Sequence, residues 1–234
     1  LNILKDKRGD YWFLFEGGDL YKYFAQSKKT AHFNFKKIQK TPANITCINQ
    51  DMQGNIWVVN ANGLLLQLDA TTLQPIKQNA LLCGMNEFRI FDYRIFIDKQ
   101  DKIWAWINGE PKGVFKIDID SNLITQFKKG NTKFRLNDNL IYGIIQHRKG
   151  KIWIGTDHGG IDLVDQKDNA KIAYLLSNEN DNSSLSYNSI QSIYEDDNGL
   201  IWVGTGKKGV SYLNQNITQF DLYKHEVDNK NSLP

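Results

Sequence analysis

Two stretches decide the reading: GKIWIGTDHGGIDLVD at 150–165 and GLIWVGTGKKGVSYLN at 199–214. Each opens on a glycine turn and runs into a β-branched and aromatic triplet, Ile152-Trp153-Ile154 or Ile201-Trp202-Val203. Such triplets favour a pleated, half-buried strand. A second glycine-bearing turn follows, and then a segment with apolar residues at alternate positions, as in Val210-Ser211-Tyr212-Leu213. Upstream, Ile190 to Glu195 is β-prone and ends at Asp196-Asp197-Asn198-Gly199, where Asp can bond its own backbone and Gly can take a positive φ. Downstream, Ile217 to Tyr223 alternates as a fourth strand.

Moving outward, the same unit recurs along the chain. Trp12, Trp57, Trp104, Trp153 and Trp202 are spaced by 45, 47, 49 and 49 residues. Six positions before each stand Asp6, Asp51, Asp98, His147 and Asp196, and three before stand Gly9, Gly54, Asp101, Gly150 and Gly199. A glycine follows six to nine positions later: Gly18, Gly63, Gly113, Gly160 and Gly209. Four antiparallel strands in about 45 residues is one β-propeller blade. The sequence therefore predicts an all-β fold, a β-propeller of four-stranded antiparallel blades. About five blades are present, over about 1–43, 44–88, 89–138, 139–187 and 188–230. A four-stranded sheet cannot cover both of its faces alone, so the periodic Trp is read as core between stacked blades. One ring buries about 200 Å², roughly 5 kcal/mol gross before the conformational cost of ordering is deducted.

Composition narrows function without naming it. The 234 residues are 41% hydrophobic and 24% charged, with a formal net charge of +3, which suits a soluble globular fold and argues against a basic nucleic-acid arm. The longest apolar runs, such as Leu140–Ile145, are far too short to span a bilayer. Cys47 and Cys83 could form at most one bridge and are read as free apolar side chains.

The two deciding stretches, together with SIQSIYEDDNG (189–199) and NSSLSYNSI (182–190), resemble the two-component regulator propeller repeat. Unit two (DMQGNIWVVNANGLLLQLD) follows the pattern moderately. Units one (DKRGDYWFLFEGGDLYKY) and three (DKQDKIWAWINGEPKGVFKID) follow it more weakly. The departures are His147 for the turn Asp, Asp101 for the turn Gly, and no Gly-Thr pair in units one to three. The resemblance implies the periplasmic sensor region of an inner-membrane protein, a hybrid two-component system that controls polysaccharide use. In such proteins the propeller is typically seven-bladed and a histidine kinase lies elsewhere in the chain. Residues 231–234 resemble 182–186, the lead-in to unit five, so the expectation is about five blades of a seven-bladed propeller, with 231–234 leading into a further blade; the alternative is a closed five-bladed ring.

The residues themselves offer little catalytic chemistry. His32, His147, His158 and His225 have no metal-ligand spacing, and no nucleophile elbow or phosphate-cradling loop is present. Asp118-Ile119-Asp120-Ser121-Asn122 begins like a calcium loop, but Leu123 and Lys129 stand where Gly and Glu are required, so it reads as a turn. No catalytic residue, metal or cofactor is assigned.

Binding is the better expectation. In a propeller the turn between strands two and three and the connection into the next blade share one end, and loops on a rigid scaffold concentrate binding residues. These turns differ between units while the framework repeats. They contribute Asn108, Glu110, Lys112, His158, Lys207 and Lys208 as candidate ligand-binding residues. Trp106 stands where units four and five carry Gly155 and Gly204, and it either fills a gap or offers a stacking surface. Tyr93, Tyr142 and Tyr187 lie near first strands and complete the candidate set. The expected function is a non-enzymatic sensor of an oligosaccharide or polysaccharide. Its partners would be that ligand and either other domains of the parent or a second subunit, without nucleic acid or membrane contact from this segment. The alternatives are a propeller lyase or hydrolase, with His147, His158 and an acidic pair converging on an ion, and a protein-interaction scaffold.

Overall fold

A computed structural model describes residues 1–33, 35, 43–85, 91–181, 183–213 and 220–223. Residues 217–219 of the expected last strand, His225 and the 231–234 lead-in lie outside the described residues. Among the described residues there are five four-stranded sheets, and in each the strands pair in chain order. Blade 1 holds β1 (Asn2–Lys5), β2 (Tyr11–Leu14), β3 (Leu20–Phe24) and β4 (Lys29–Phe33). Blade 2 holds β5 (Ile45–Gln50), β6 (Ile56–Asn60), β7 (Leu65–Leu68) and β8 (Pro75–Asn79). A short 3-10 turn at Cys83–Met85 precedes blade 3, which holds β9 (Tyr93–Ile97), β10 (Ile103–Ile107), β11 (Val114–Asp118) and β12 (Leu123–Phe127). Blade 4 holds β13 (Ile141–Gln146), β14 (Ile152–Thr156), β15 (Ile161–Val164) and β16 (Ile172–Leu175). Blade 5 holds β17 (Ile190–Glu195), β18 (Ile201–Thr205), β19 (Val210–Leu213) and β20 (Phe220–Tyr223). The fold is the all-β repeat of blades that the tryptophan period predicts. Asp118–Asn122 is a turn, and Asp118 is held to about 2 by the Lys102 ammonium 2.8 Å away.

The chain forms two compact units. In the unit made of Leu1–Asn108 and Phe115–Thr125, the Trp12 face of blade 1 packs on Ile56, Val58, Leu66 and Leu68 of blade 2. The Trp57 face of blade 2 packs in turn on Ile95, Ile103, Ala105 and Ile117 of blade 3. In the other unit, the Trp153 face of blade 4 packs on Ile190, Ile201 and Val203 of blade 5. The rule is the same within each unit: the Trp-bearing face meets the residues that flank the Trp of the next blade. Trp12 and Trp104 are completely buried, and Trp57 and Trp153 nearly so. The period therefore marks inter-blade core, as the sheet argument requires.

The turn aspartate has a second task that spacing alone does not show. Its Oδ1 caps the β-turn, and its Oδ2 accepts the indole N–H of the Trp six positions on. That bond is 2.9 Å for Asp6–Trp12, 3.2 Å for Asp51–Trp57, 2.8 Å for Asp98–Trp104 and 3.0 Å for Asp196–Trp202. A third residue, opposite the Trp on the third strand, completes the group. Lys22 and Lys116 lie over the rings of Trp12 and Trp104, and Gln67 donates to Asp51 at 2.7 Å. Blade 4 departs at both positions. His147 replaces the acid and lies tilted by 33° against Trp153 with centroids 5.5 Å apart, and Leu163 stands opposite the indole. The Trp153 N–H is left buried without an acceptor. A buried donor left unpaired costs about 1–3 kcal/mol. Installing Asp at 147 together with Gln at 163 is expected to raise the stability of the chain by about 1–2 kcal/mol. Urea denaturation of H147D/L163Q checks it, and a lowered midpoint would contradict it.

The other departures are compensated locally. Asp101 takes the turn glycine's place at φ 56, where Gly9, Gly54, Gly150 and Gly199 have φ between 84 and 97. Its carboxylate accepts Met52 N–H at 2.8 Å and the Gln53 amide at 2.7 Å, which ties blade 3 to blade 2. The glycine after each Trp is a geometric necessity. At Gly160 φ is 71, and a Cβ would stand 2.2 Å from the Leu175 carbonyl oxygen.

Candidate functional site

One backbone hydrogen bond recurs at the loop end of blades 2 to 5. The residue four positions after the Trp donates to the carbonyl just before the first strand: Ala61 to Asn44, Asn108 to Asp92, Asp157 to Leu140 and Gly206 to Ser189, all at 2.9–3.0 Å. The bond pins the second turn of each blade against its own incoming connection. Side chains from the two segments are thereby brought together without a sequence motif that announces it.

In the first unit this end of the blades lines an open cavity of about 460 Å³. Its polar lining includes Glu16, Asn44, Thr46, Asp92 and Arg94, and its apolar lining includes Phe15 and Phe91. Asp92 is the hub. It accepts from Arg94 Nη2 at 2.8 Å and from Asn108 Nδ2 at 3.0 Å. Arg94 is about one-third exposed, so its guanidinium reaches both Asp92 and solvent. Thr46 is the extra residue of a bulge on β5, and its hydroxyl donates to the Tyr93 carbonyl at 2.9 Å. Phe15 is 47% exposed at the rim. The carboxylates, amides, guanidinium and open aromatic face can hydrogen-bond and stack on a neutral polar ligand.

In the second unit the loop end carries a different group. Asp157 bridges two side chains, accepting Ser189 Oγ at 2.6 Å and lying 2.9 Å from His158 Nδ1. The imidazole is otherwise solvated, at 74% side-chain exposure. Lys207 lies 6.0 Å from the centre of the Tyr187 ring, and Lys208 is exposed beside it. Tyr142 is the bulge residue of β13, partly exposed.

The residues expected from sequence are thus distributed as follows. Asn108 is joined to the cavity through Asp92. Tyr187 and Lys207 are in contact, and His158 is joined to Ser189 through Asp157. Glu110 and Lys112 form a separate turn, in which the Lys112 carbonyl accepts the Gln126 amide at 2.9 Å. Tyr93 and Trp106 are corrected by the structure. Tyr93 is fully buried in the blade 2–blade 3 core, and Trp106 is 8% exposed, so neither ring offers a stacking face. The reason for Tyr93 is register. Blades 2, 4 and 5 insert a bulge residue early in the first strand, while blade 3 pairs without one. Tyr93 therefore pairs with Ile107 as Ile45, Ile141 and Ile190 pair in their blades, and it takes their core place. His147 and His158 lie at opposite ends of β14, one on Trp153 and one on Asp157. Among the described residues no group of three or more metal-ligating side chains comes together.

Of the cavity lining, Glu16 lies in a second turn of the kind expected to bind, whereas Asp92, Arg94, Asn44 and Thr46 were not picked out from the sequence. The signal for Thr46 lay in its bulge position, and for Asp92 in the shortened first strand of blade 3.

Residues 135–158 and 184–207 match the family described as two component regulator propeller. No curated protein matches the chain. Among solved structures, the chain is similar to the extracellular domain of the hybrid two component system BT4673 from B. thetaiotaomicron. The identity is 17% and the TM-score 0.52, over 94% of this chain and 36% of that one. It is also similar to PorZ, a surface component of the type-IX secretion system of Porphyromonas gingivalis, with 19% identity, TM-score 0.65, 90% of this chain and 31% of that one. The Cps50 (Swd1) β-propeller domain of Myceliophteria thermophila aligns at 10% identity and TM-score 0.66, over 94% of this chain and 70% of that one. The chain thus spans about a third of the length of the first two. At these identities the likeness is one of fold.

Proposed function

We propose, on the premise that the chain belongs to the two-component regulator propeller repeat family, that it is a non-enzymatic ligand-sensing part of a two-component signal-transduction sensor. Its ligand is an oligosaccharide, and the parent protein governs the use of that sugar. The segment faces the periplasm or exterior as part of a membrane protein, and its own described helices include none long and apolar enough to cross a bilayer. Binding would be passed on by rigid-body movement against other domains of the parent or a second subunit.

The cavity around Asp92 carries this reading. Sugars present flat CH-rich faces together with many hydroxyls. They are held where an aromatic face stands beside convergent donors and acceptors. Phe15 supplies the face. Asp92, Glu16, Asn44 and Arg94 supply the polar partners, with Asp92 already oriented by Arg94 and Asn108.

Calorimetry of the 234-residue chain against a panel of oligosaccharides tests the proposal. One neutral glycan is expected to bind, and R94A and D92N are each expected to weaken it roughly tenfold or more. K171A, outside the cavity and exposed, is expected to leave its affinity unchanged. Absence of binding to every glycan would leave the interaction-scaffold reading in its place.

A further inference from the structure

Asp162 stands on β15 with none of its surface exposed, and Ile154 and Tyr174 are its cross-strand neighbours. Its Oδ2 accepts the backbone N–H of Asn137 at 3.1 Å. Its Oδ1 is buried with no hydrogen-bond partner. The same place in blade 5, 49 positions further on, holds Ser211, which is also fully buried. Ser211 Oγ accepts the backbone N–H of Ser186 at 3.3 Å and donates to Ser186 Oγ at 3.0 Å. Ser186 in turn lies 49 positions after Asn137. Both blades therefore tie down their incoming connection with a polar side chain on the third strand. Blade 5 uses a hydroxyl, which holds equally at any ordinary pH. Blade 4 uses an acid, which does not.

Ionising Asp162 would leave a charged oxygen buried without a donor, and that is costly. Burial pushes this carboxyl up to about 7, against the opposing pull of the Asn137 N–H, and the nearby Asp138 carboxylate adds to the rise. The groups that act on it are Asp138 from the connection and Tyr174 from β16, and Tyr174 in turn feels the Arg135 guanidinium. The Tyr174 hydroxyl donates to the Arg135 carbonyl at 3.0 Å. The connection is fastened onward as well, since the Asn137 amide donates to the Gly159 carbonyl at 3.0 Å in the turn that carries His158.

We propose that Asp162 is a proton-operated latch. Neutral, it seats the connection around 136–140 against β15 and the His158 turn; ionised, it loosens both. The latch is a property of blade 4 and stands whether or not the cavity of the other unit binds a sugar.

The sign follows from the two states. The unfolded carboxyl titrates near its ordinary value of 3.8 and the folded one at about 7. The latch's contribution is fully present below the lower value and is lost as pH rises to the upper one. Each pH unit between them is worth about tenfold in the unfolding equilibrium, so about a thousandfold across the window. The test compares urea midpoints of the full chain and of Asp162→Ser, the blade 5 solution, at pH 5 and pH 8. Relative to the variant, the unmodified chain is expected to lose about a hundredfold in its folding equilibrium between those two values. In the unmodified chain the Asp162 carboxyl carbon and the Asn137 amide are expected to titrate together near neutrality by NMR. Parallel stability profiles, or an Asp162 carboxyl that titrates below pH 5, overturn the proposal. If Asp162→Ser does not fold, the two NMR titrations decide it.

Discussion

Replacing Asp98 by alanine is expected to destabilise the chain by about 3 kcal/mol, with the midpoint of urea unfolding lowered accordingly. Asp98 is 1% exposed. One oxygen accepts the backbone N–H groups of Gln100 and Lys102, each at 2.9 Å, and closes the turn between β9 and β10. The other accepts the indole N–H of the fully buried Trp104 at 2.8 Å. Alanine strands that N–H where water cannot reach it, which costs about 1–3 kcal/mol by itself. It also removes the turn cap, worth about another 1 kcal/mol by analogy with helix caps. Lys116, whose pKa burial already lowers, loses the nearby carboxylate that favours its charge. The same change at Asp196 is expected to cost about 1 kcal/mol, because Asp196 and Trp202 are only partly buried and water can replace the lost acceptor. Equal costs at the two sites would mean that the carboxylate acts through the turn alone and that the indole bond adds nothing.

That pair also shows what was legible in the sequence. The six-residue spacing between Asp and Trp is plain in four units, and turn propensity accounts for it. The bond between the two side chains is not visible in a spacing, because it exists only once the hairpin folds the turn back over the strand. The fold needed less. A recurring aromatic flanked by β-branched residues and glycine turns fixes strand direction and face, and the core follows from face. The candidate site was legible only in part. Asn108 and His158 come from turns that differ between blades, which was the basis for choosing them. Asp92 and Arg94 come from a first strand that lost its bulge residue, and this shift put Tyr93 into the core instead of at the cavity. The spacing does not betray that loss: 47 residues separate Trp57 from Trp104, but only 45 separate Trp12 from Trp57, and blade 2 keeps its bulge. Gly155 and Gly204 conceal similar information. A Cβ at Gly155 would meet Ile190 of the next blade at 2.8 Å, so this glycine is required by tertiary approach and not by its own turn.

Lys22 gives the other large effect. Its ammonium is 1% exposed, 2.9 Å from Asp10 and 3.5 Å from Asp6, and it donates to the Ala70 carbonyl of the next blade. It also lies 5.0 Å from the centre of the Trp12 ring and 4.6 Å from that of Phe24. Removing one partner of a buried ionic group leaves uncompensated charge and typically costs about 3–5 kcal/mol. Lys22→Ala is expected to fall in that range. Lys22→Gln is expected to recover about half of the loss, because blade 2 solves the same problem with Gln67, which donates to Asp51 at 2.7 Å. The pH dependence separates a charge effect from a packing effect. The hydrogen bond from Lys22 holds the Asp10 carboxyl below its usual value of 3.8. A carboxyl lowered in the folded state contributes stability that is present above 3.8 and is lost as pH falls through the folded value. Without the ammonium that contribution disappears, so the penalty of Lys22→Gln should shrink as the solution is taken from pH 6 to pH 3. A penalty that stays constant over this range would assign Lys22 to packing on Trp12 and Phe24, with the two aspartates held by their other bonds.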